Sequence, residues 1–285
     1  MPPFQGSGLS PELYAKAMRI LTELGGFQKV MVAFSGGVDS TLVALLAKMA
    51  LHDRAIAVTA DSPSLPASEL REAKKLAQRI GIKHIVVKTD ELQDPNYVAN
   101  PANRCYFCKK KLGEKLMDLA KELGDFQIVD GTNAEDLRSH RPGAAALAER
   151  GIRRPLADVG MVKDEVRQLA QFLGLPNHDK PSMPCLSSRL AYGEIITPER
   201  LLRVERAENL IRSLTGVKEL RVRDHGSVAR IEVGTRERSL FFDEQLLDRI
   251  SDALRDLGYV YVALDMSGYR SGSMNGISSS MRDRK

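Results

Sequence analysis

Ser35-Gly36-Gly37-Val38-Asp39-Ser40 decides how this chain is read, because an apolar run precedes it and a helical pattern follows. Residues 29–34, KVMVAF, are short, apolar and valine-rich, which predicts a buried strand. Residues 39–50, DSTLVALLAKMA, put apolar side chains at helical spacing. The two glycines therefore stand in a strand-to-helix turn, where they allow unusual backbone angles and a close approach by a ligand. Free N–H groups at the helix start, with the dipole behind them, form an anion site, to which Ser35 and Ser40 add hydroxyls. A tight turn that happens to use Ser and Gly is the bland alternative. The strand–turn–helix setting favours a nucleotide.

Outward from that turn, apolar strands are expected at 55–59, 84–88 and 126–130, with helices at 66–80 and 109–122 and a first helix from Ser10-Pro11-Glu12 to about Leu24. Alternating strands and helices predict an α/β fold with a doubly wound, mainly parallel sheet that binds ligands at the carboxyl ends of its strands. Those ends carry Ser35, Ala60-Asp61-Ser62 and Asp130-Gly131-Thr132-Asn133, each small or polar after an apolar strand, as an adenosine and metal pocket would require. Another amphipathic helix is expected at 163–173, then a structure-poor stretch at 177–193. A second pattern follows, with a helix from Thr197-Pro198-Glu199, strands at 217–223, 228–234 and 259–264, and a helix near 243–257. The expected domains are a nucleotide domain at 1–190, a smaller α+β substrate or oligomerisation domain at 191–266, and a disordered tail at 267–285.

Composition sets outer bounds. With 43% hydrophobic and 28% charged residues, this is an ordinary globular chain. Residues 1–8 lack the features of a signal peptide, and no apolar run is long enough to cross a membrane, so cytoplasm and no membrane partner are the expectation. The net charge of +5 suits small anions and RNA alike.

Three cysteines argue against a disulfide framework. Cys105-Tyr-Phe-Cys108 could present two thiolates to one metal, and Cys185 would have to come from a distant loop. Incidental burial, a zinc site needing a fourth ligand, and a [4Fe–4S] cluster on three thiolates all compete. Cys185 also has a metal-free reading: Lys180 and Arg189 are near in sequence and favour a nucleophilic thiolate.

No G-x-x-x-x-G-K-[ST] is present, so SGGVDS is not a Walker A loop. It resembles the PP-loop of ATP pyrophosphatases, which implies cleavage between the α- and β-phosphates and activation of an acid as its adenylate. Together with RCYFCK, residues 163–167 (KDEVR) and 180–197 (KPSMPCLSSRLAYGEIIT), it is similar to the LarE family over almost the whole chain. That resemblance implies an ATP-dependent sulfur transferase of nickel-pincer cofactor synthesis. Its substrate would be pyridinium-3,5-biscarboxylic acid mononucleotide, whose carboxylates become thiocarboxylates. ATP and Mg²⁺ would engage Ala33, Ser35, Gly36, Gly37, Asp39, Ser40, Asp61, Asn133 and Lys163. Cys185 matches the sulfur-donating cysteine, and the added Cys105 and Cys108 match the members that hold a [4Fe–4S] cluster on all three. A homo-oligomer, a sulfide donor and a downstream nickel-inserting protein are the implied partners.

The second region points to an anionic substrate by itself. Residues 220–223 and 228–233 alternate with period two about an expected turn at 224–227. Arg221, Arg223, Arg230 and Glu232 then share the face opposite Leu220 and Val222. A solvated face with a cross-strand ion pair is the plain alternative. Three clustered arginines suit phosphate or carboxylate. The resemblance assigns Arg223 and Glu232 to catalysis and Arg189, Arg221 and Arg230 to binding. A PP-loop tRNA thiolase is a rival reading, although neither a zinc ribbon nor a strong basic face is visible, and no stable nucleic-acid partner is expected. A nucleotide-binding sensor without activity is another rival.

Overall fold

The computed structural model describes residues 8–138, 142–181 and 183–270. In chain order its elements are α1 (Pro11–Gly25), β1 (Val30–Ala33), α2 (Val38–Leu51), β2 (Ala55–Asp61), α3 (Ala67–Ile80), β3 (Lys83–Lys88), α4 (Pro95–Val98), α5 (Arg104–Glu122), β4 (Gln127–Val129), α6 (Ala134–Arg138), α7 (Pro142–Ala148), α8 (Pro155–Asp158) and α9 (Lys163–Phe172). Then come α10 (Pro198–Thr215), β5 (Leu220–His225), β6 (Val228–Val233), α11 (Glu244–Asp256) and β7 (Tyr261–Leu264). They form two compact units, one of residues up to Glu91 with Asn103–Met183, the other of Leu92–Ala102 with the described residues from Pro184 onward.

In the first unit β3-β2-β1-β4 form a parallel sheet in that order. Side chains alternate across it. Val30 and Val32 join the core beneath α1 and α2, with Ile20, Leu42 and Leu46, whereas Met31 joins Ile56, Val58, Leu116 and Ile128 on the other face. Both faces are covered, which is why β1 reads as a continuous apolar run. The chain leaves β1 toward β2 on one side and returns to β4 on the other, so the order reverses beside β1. Ligands bind at such a switch, outside the carboxyl ends of the strands. Ser35 and Gly131 stand just beyond two of those ends.

In the second unit β5 and β6 form an antiparallel hairpin and β7 adds to β6 in parallel. Ala207 and Ile211 of α10, Val222 and Ile231 of the strands and Leu254 of α11 form its core. The Leu92–Ala102 segment belongs here because its backbone is bonded to the loop before α10, Gly193 N–H donating to Asn100 O (3.0 Å) and Ile196 N–H to Val98 O (3.0 Å).

The expected doubly wound sheet with a second α+β unit is present. Three local expectations need correction. The helix expected from residue 109 begins at Arg104, so Cys105 and Cys108 lie in its first turns and not in a loop. Its cap residue Asn103 is of a preferred capping type, although its side chain makes no cap bond. The turn expected at 224–227 is shorter, since β5 runs through His225. The short helices α4, α6, α7 and α8 add to the expected elements, each too brief to show a helical period. Of the expected tail, residues 271–285 lie outside the described residues. No described helix is long and apolar enough to cross a membrane.

Candidate active site

The SGGVDS turn is built by bonds within itself. Ser40 Oγ donates to Gly37 O (3.1 Å) and accepts from Ser35 N–H (3.2 Å), Ser35 Oγ lies 3.1 Å from Ser40 Oγ, and Gly37 N–H donates to Ser35 Oγ (3.3 Å). Gly36 holds φ +73°, the left-handed conformation that the turn requires. Ala33, the last residue of β1, feeds this turn, and Gly37 is the N-cap of α2 without a side-chain cap bond. The first amides of α2 are thus left for an external acceptor.

Two further segments converge on α2. Asp39, in its first turn, accepts from Asn133 Nδ2 (3.0 Å) and forms an ion pair with Lys163 at the start of α9. Asn133 Oδ1 meanwhile accepts from Glu135 and Asp136 N–H, and so fixes the start of α6. Gly131 lets the post-β4 loop lie against α2, because a Cβ there would come within 2.6 Å of Ser40 N. The fold therefore brings Ser35, Gly36, Gly37, Asp39, Ser40, Asn133 and Lys163 together. Asp61 closes β2 at the same edge of the sheet, outside this set of bonds.

Three further buried polar groups stand in this unit, of which Asn177 and Glu91 escaped the sequence reading. Asn177 Nδ2 donates to Gly36 O (3.1 Å) and Thr41 Oγ1 (3.0 Å), pinning the turn from behind. Asp130, at the end of β4, is pushed above the ordinary carboxylate range by burial, and its Oδ2 has no hydrogen-bond partner among the described residues. Glu91 is enclosed beside Ser62 and Ser64. Only Asp130 carried a signal, a carboxylate directly after an apolar strand.

The cysteines divide between the units. Cys105 is exposed and Cys108 half-buried, three residues apart and so on one side of α5; Cys185 is half-buried in the second unit, and none of the three is in a disulfide. Among the described residues no three His, Cys, Asp or Glu side chains converge as a metal site.

Cys185 sits on a tightly fixed loop. Arg189, fully buried, donates to Pro184 O (2.6 Å), Cys185 O (3.0 Å) and Ser188 Oγ (3.1 Å), and forms two bonds to Glu208 (2.8 and 3.1 Å). Tyr97 Oη lies 2.6 Å from Ser187 Oγ, and Arg223 donates to Ser188 O (3.1 Å). The expected polar face exists as a buried network: Arg223 binds Glu232 through two nitrogens (2.9 and 2.7 Å), and Arg230 pairs with Glu232 (3.0 Å) and with Asp265. Arg221 is equally buried. Sequence reasoning missed two carboxylates. Glu208 falls in the stripe Leu201–Val204–Glu208–Ile211 of α10. Asp224 shares the strand phase of Leu220 and Val222, and accepts from Arg200, Arg203 and Tyr259. A charge inside an apolar period was the signal for both.

The comparisons agree with this geometry. Residues 14–99, which hold the SGGVDS turn, match the NAD synthase family. An uncharacterized protein of Synechocystis sp. is 48% identical over 92% of this chain and 98% of its own length. The pyridinium-3,5-bisthiocarboxylic acid mononucleotide synthase of Lactiplantibacillus plantarum is 37% identical over 92% of this chain and 95% of its own. One of the subunits of the glutamine-hydrolyzing GMP synthase of Pyrococcus horikoshii is 32% identical over 68% of this chain and 67% of its own. A PP-loop at the sheet's switch point, shared with a synthase that the chain matches almost end to end, makes this protein a member of the LarE family of ATP-dependent enzymes.

Proposed function

We propose that the protein is an AMP- and pyrophosphate-forming sulfur transferase that converts the carboxylates of pyridinium-3,5-biscarboxylic acid mononucleotide to thiocarboxylates. The observation that carries this reading is the meeting of Asp39, Asn133 and Lys163 at the open start of α2, in a chain so similar to a bisthiocarboxylate synthase.

The α2 amides and the Ser35 and Ser40 hydroxyls bind the β- and γ-phosphates. Asp39 holds Mg²⁺, for which one carboxylate beside phosphate oxygens is a fitting donor set. Lys163 turns from Asp39 to the phosphates and stabilises charge as it builds on the pyrophosphate. A substrate carboxylate oxygen attacks the α-phosphorus, the bond to the β-phosphate oxygen breaks, and pyrophosphate leaves an acyl-adenylate. A sulfur nucleophile then attacks the acyl carbon and AMP departs.

Cys105 and Cys108, three residues apart on α5, and Cys185 supply the three thiolates that a [4Fe–4S] cluster of this kind would need. Such a cluster, when bound, supplies sulfide at its open iron. The fixed Cys185 loop also supports a second reading, in which its own thiolate forms a thioester. Loss of the Cα proton with cleavage of Cβ–S then leaves dehydroalanine. Arg221, Arg223, Arg230 and Glu232 bind and orient the substrate, and Arg189 holds the Cys185 loop in place. The first unit acts as the nucleotide domain, and the second, which takes in residues 92–102 and the chain from Pro184, as the substrate domain, in a cytoplasmic homo-oligomer served by a sulfide donor and a nickel-inserting protein. Iron and acid-labile sulfide per chain after anaerobic purification test the sulfur source: a cluster's worth of both supports the cluster, and neither after reconstitution assigns the role to Cys185.

A further inference from the structure

Seven arginines gather around β5 and β6, and six are matched by carboxylates, Arg200 and Arg203 by Asp224. Arg189 and Arg212 share Glu208, and Arg223 and Arg230 share Glu232, with Asp265 also on Arg230. Arg221 differs. It is 4% exposed, yet no carboxylate lies within ion-pair distance of it among the described residues. Its Nη1 donates to its own residue's neighbour, Leu220 O (2.7 Å), and its guanidinium carbon lies 5.0 Å from the centre of the Tyr269 ring. Burial, and next the charge of Arg189, push this guanidinium below its ordinary value. Burying a cation is costly; the Glu208 charge offsets this cost in part, from beyond contact distance, and an anion in contact would relieve the rest.

Tyr269 is not there by chance of a loose end. The segment after β7 follows β6: Asp265 N–H donates to Ile231 O (2.8 Å) and Tyr269 N–H to Val233 O (2.7 Å), while the Asp265 carboxylate holds Arg230. A ring against a planar guanidinium holds it without using its N–H groups, which are left for oxygen acceptors.

We propose that Tyr269 is a positioning residue that makes Arg221 the anion-recognition group of the second unit, presenting its N–H groups to phosphate or carboxylate oxygens of the substrate. The substrate's identity rests on the function proposed above; the anion element does not. Isothermal titration of the full chain with inorganic phosphate, and separately with pyridinium-3,5-biscarboxylic acid mononucleotide, tests it. Tyr269→Ala weakens both affinities roughly tenfold and raises KM for the mononucleotide while kcat and KM for ATP stay near the parent's. Tyr269→Phe, which keeps the ring, restores them. Equal phosphate binding by parent and Tyr269→Ala, or none by the parent, overturns the proposal. Phosphate binding by the parent that depends on Tyr269, without mononucleotide binding, upholds the anion element and removes the proposed substrate instead.

Discussion

The Lys163 ammonium and the Asp39 carboxylate are in direct contact, although 124 residues separate them in sequence. The pairing joins the first turn of α9 to that of α2, and Asn133 from the post-β4 loop holds the other Asp39 oxygen. Three segments are thereby locked at the anion site, and two opposite charges wait for a ligand that needs both. A magnesium–nucleotide complex is such a ligand, with its cation for Asp39 and its phosphates for Lys163.

If that exchange occurs, Lys163→Ala lowers substrate-dependent pyrophosphate release by about 10²-fold, the usual loss when one charge-stabilising donor is removed. The pair is partly exposed, so stability should change little. Pyrophosphate kinetics beside a thermal melt separate the two effects. A large fall in melting temperature with normal turnover would make the pair structural.

Gly131→Ala tests the close approach behind the turn. Its Cβ would fall 2.6 Å from Ser40 N and 2.9 Å from the Asp39 carbonyl carbon, both backbone atoms that cannot swing aside. The variant should bind ATP at least tenfold more weakly or fail to fold, whereas Gly81→Ala, with nothing within 4 Å, disturbs only its own helix end. ATP titration of both variants is the check, and parent-like affinity in Gly131→Ala would contradict the packing.

Glu208 governs acid stability. Burial alone would raise its carboxyl, but the Arg189 charge and hydrogen bond, then Arg212 and Arg221, hold it below the usual 4.5. A carboxyl depressed in the folded state stabilises fully above its unfolded pKa, and the contribution is lost as pH falls through the folded value. Asp224, held below 3.8 against burial by Arg200 and Arg203, acts in the same direction. Glu208→Gln should therefore cost about 3–5 kcal/mol at pH 7, as breaking a buried pair does, and less below pH 4. Urea melts from pH 3 to 7 measure the difference; a cost independent of pH would contradict the assignment.

Much of this was legible in the chain. The β1 run, the glycine turn and the helix behind it could be read because each local signal agreed with the next. The caps at Ser10 and Thr197 could be read for the same reason, and both side chains accept from the third residue onward. Other features had no local signature. Tyr97 joins the second unit although it lies in sequence between two parts of the first, and only tertiary bonds, such as its contact with Ser187, say so. Glu208 stands in an apolar stripe of α10, but which cation meets it there is known only once Arg189 is found enclosed against it. Tyr269 could not be singled out at all, because a tyrosine in a polar tail gains meaning only from the arginine it covers.

Cys105→Ala removes one of the three cysteines at an exposed helix position, so folding should survive. Iron per chain after anaerobic reconstitution should fall to background if the cluster uses that thiolate. Full iron content would exclude it and leave Cys185 as the donor.

The central claim is best tested by giving the anaerobic protein ATP, Mg²⁺, sulfide and pyridinium-3,5-biscarboxylic acid mononucleotide, and following nucleotide and acid by mass spectrometry. AMP and pyrophosphate should appear in step with replacement of a carboxylate oxygen by sulfur. ADP and phosphate as products, or AMP formation that does not depend on the mononucleotide, would contradict it.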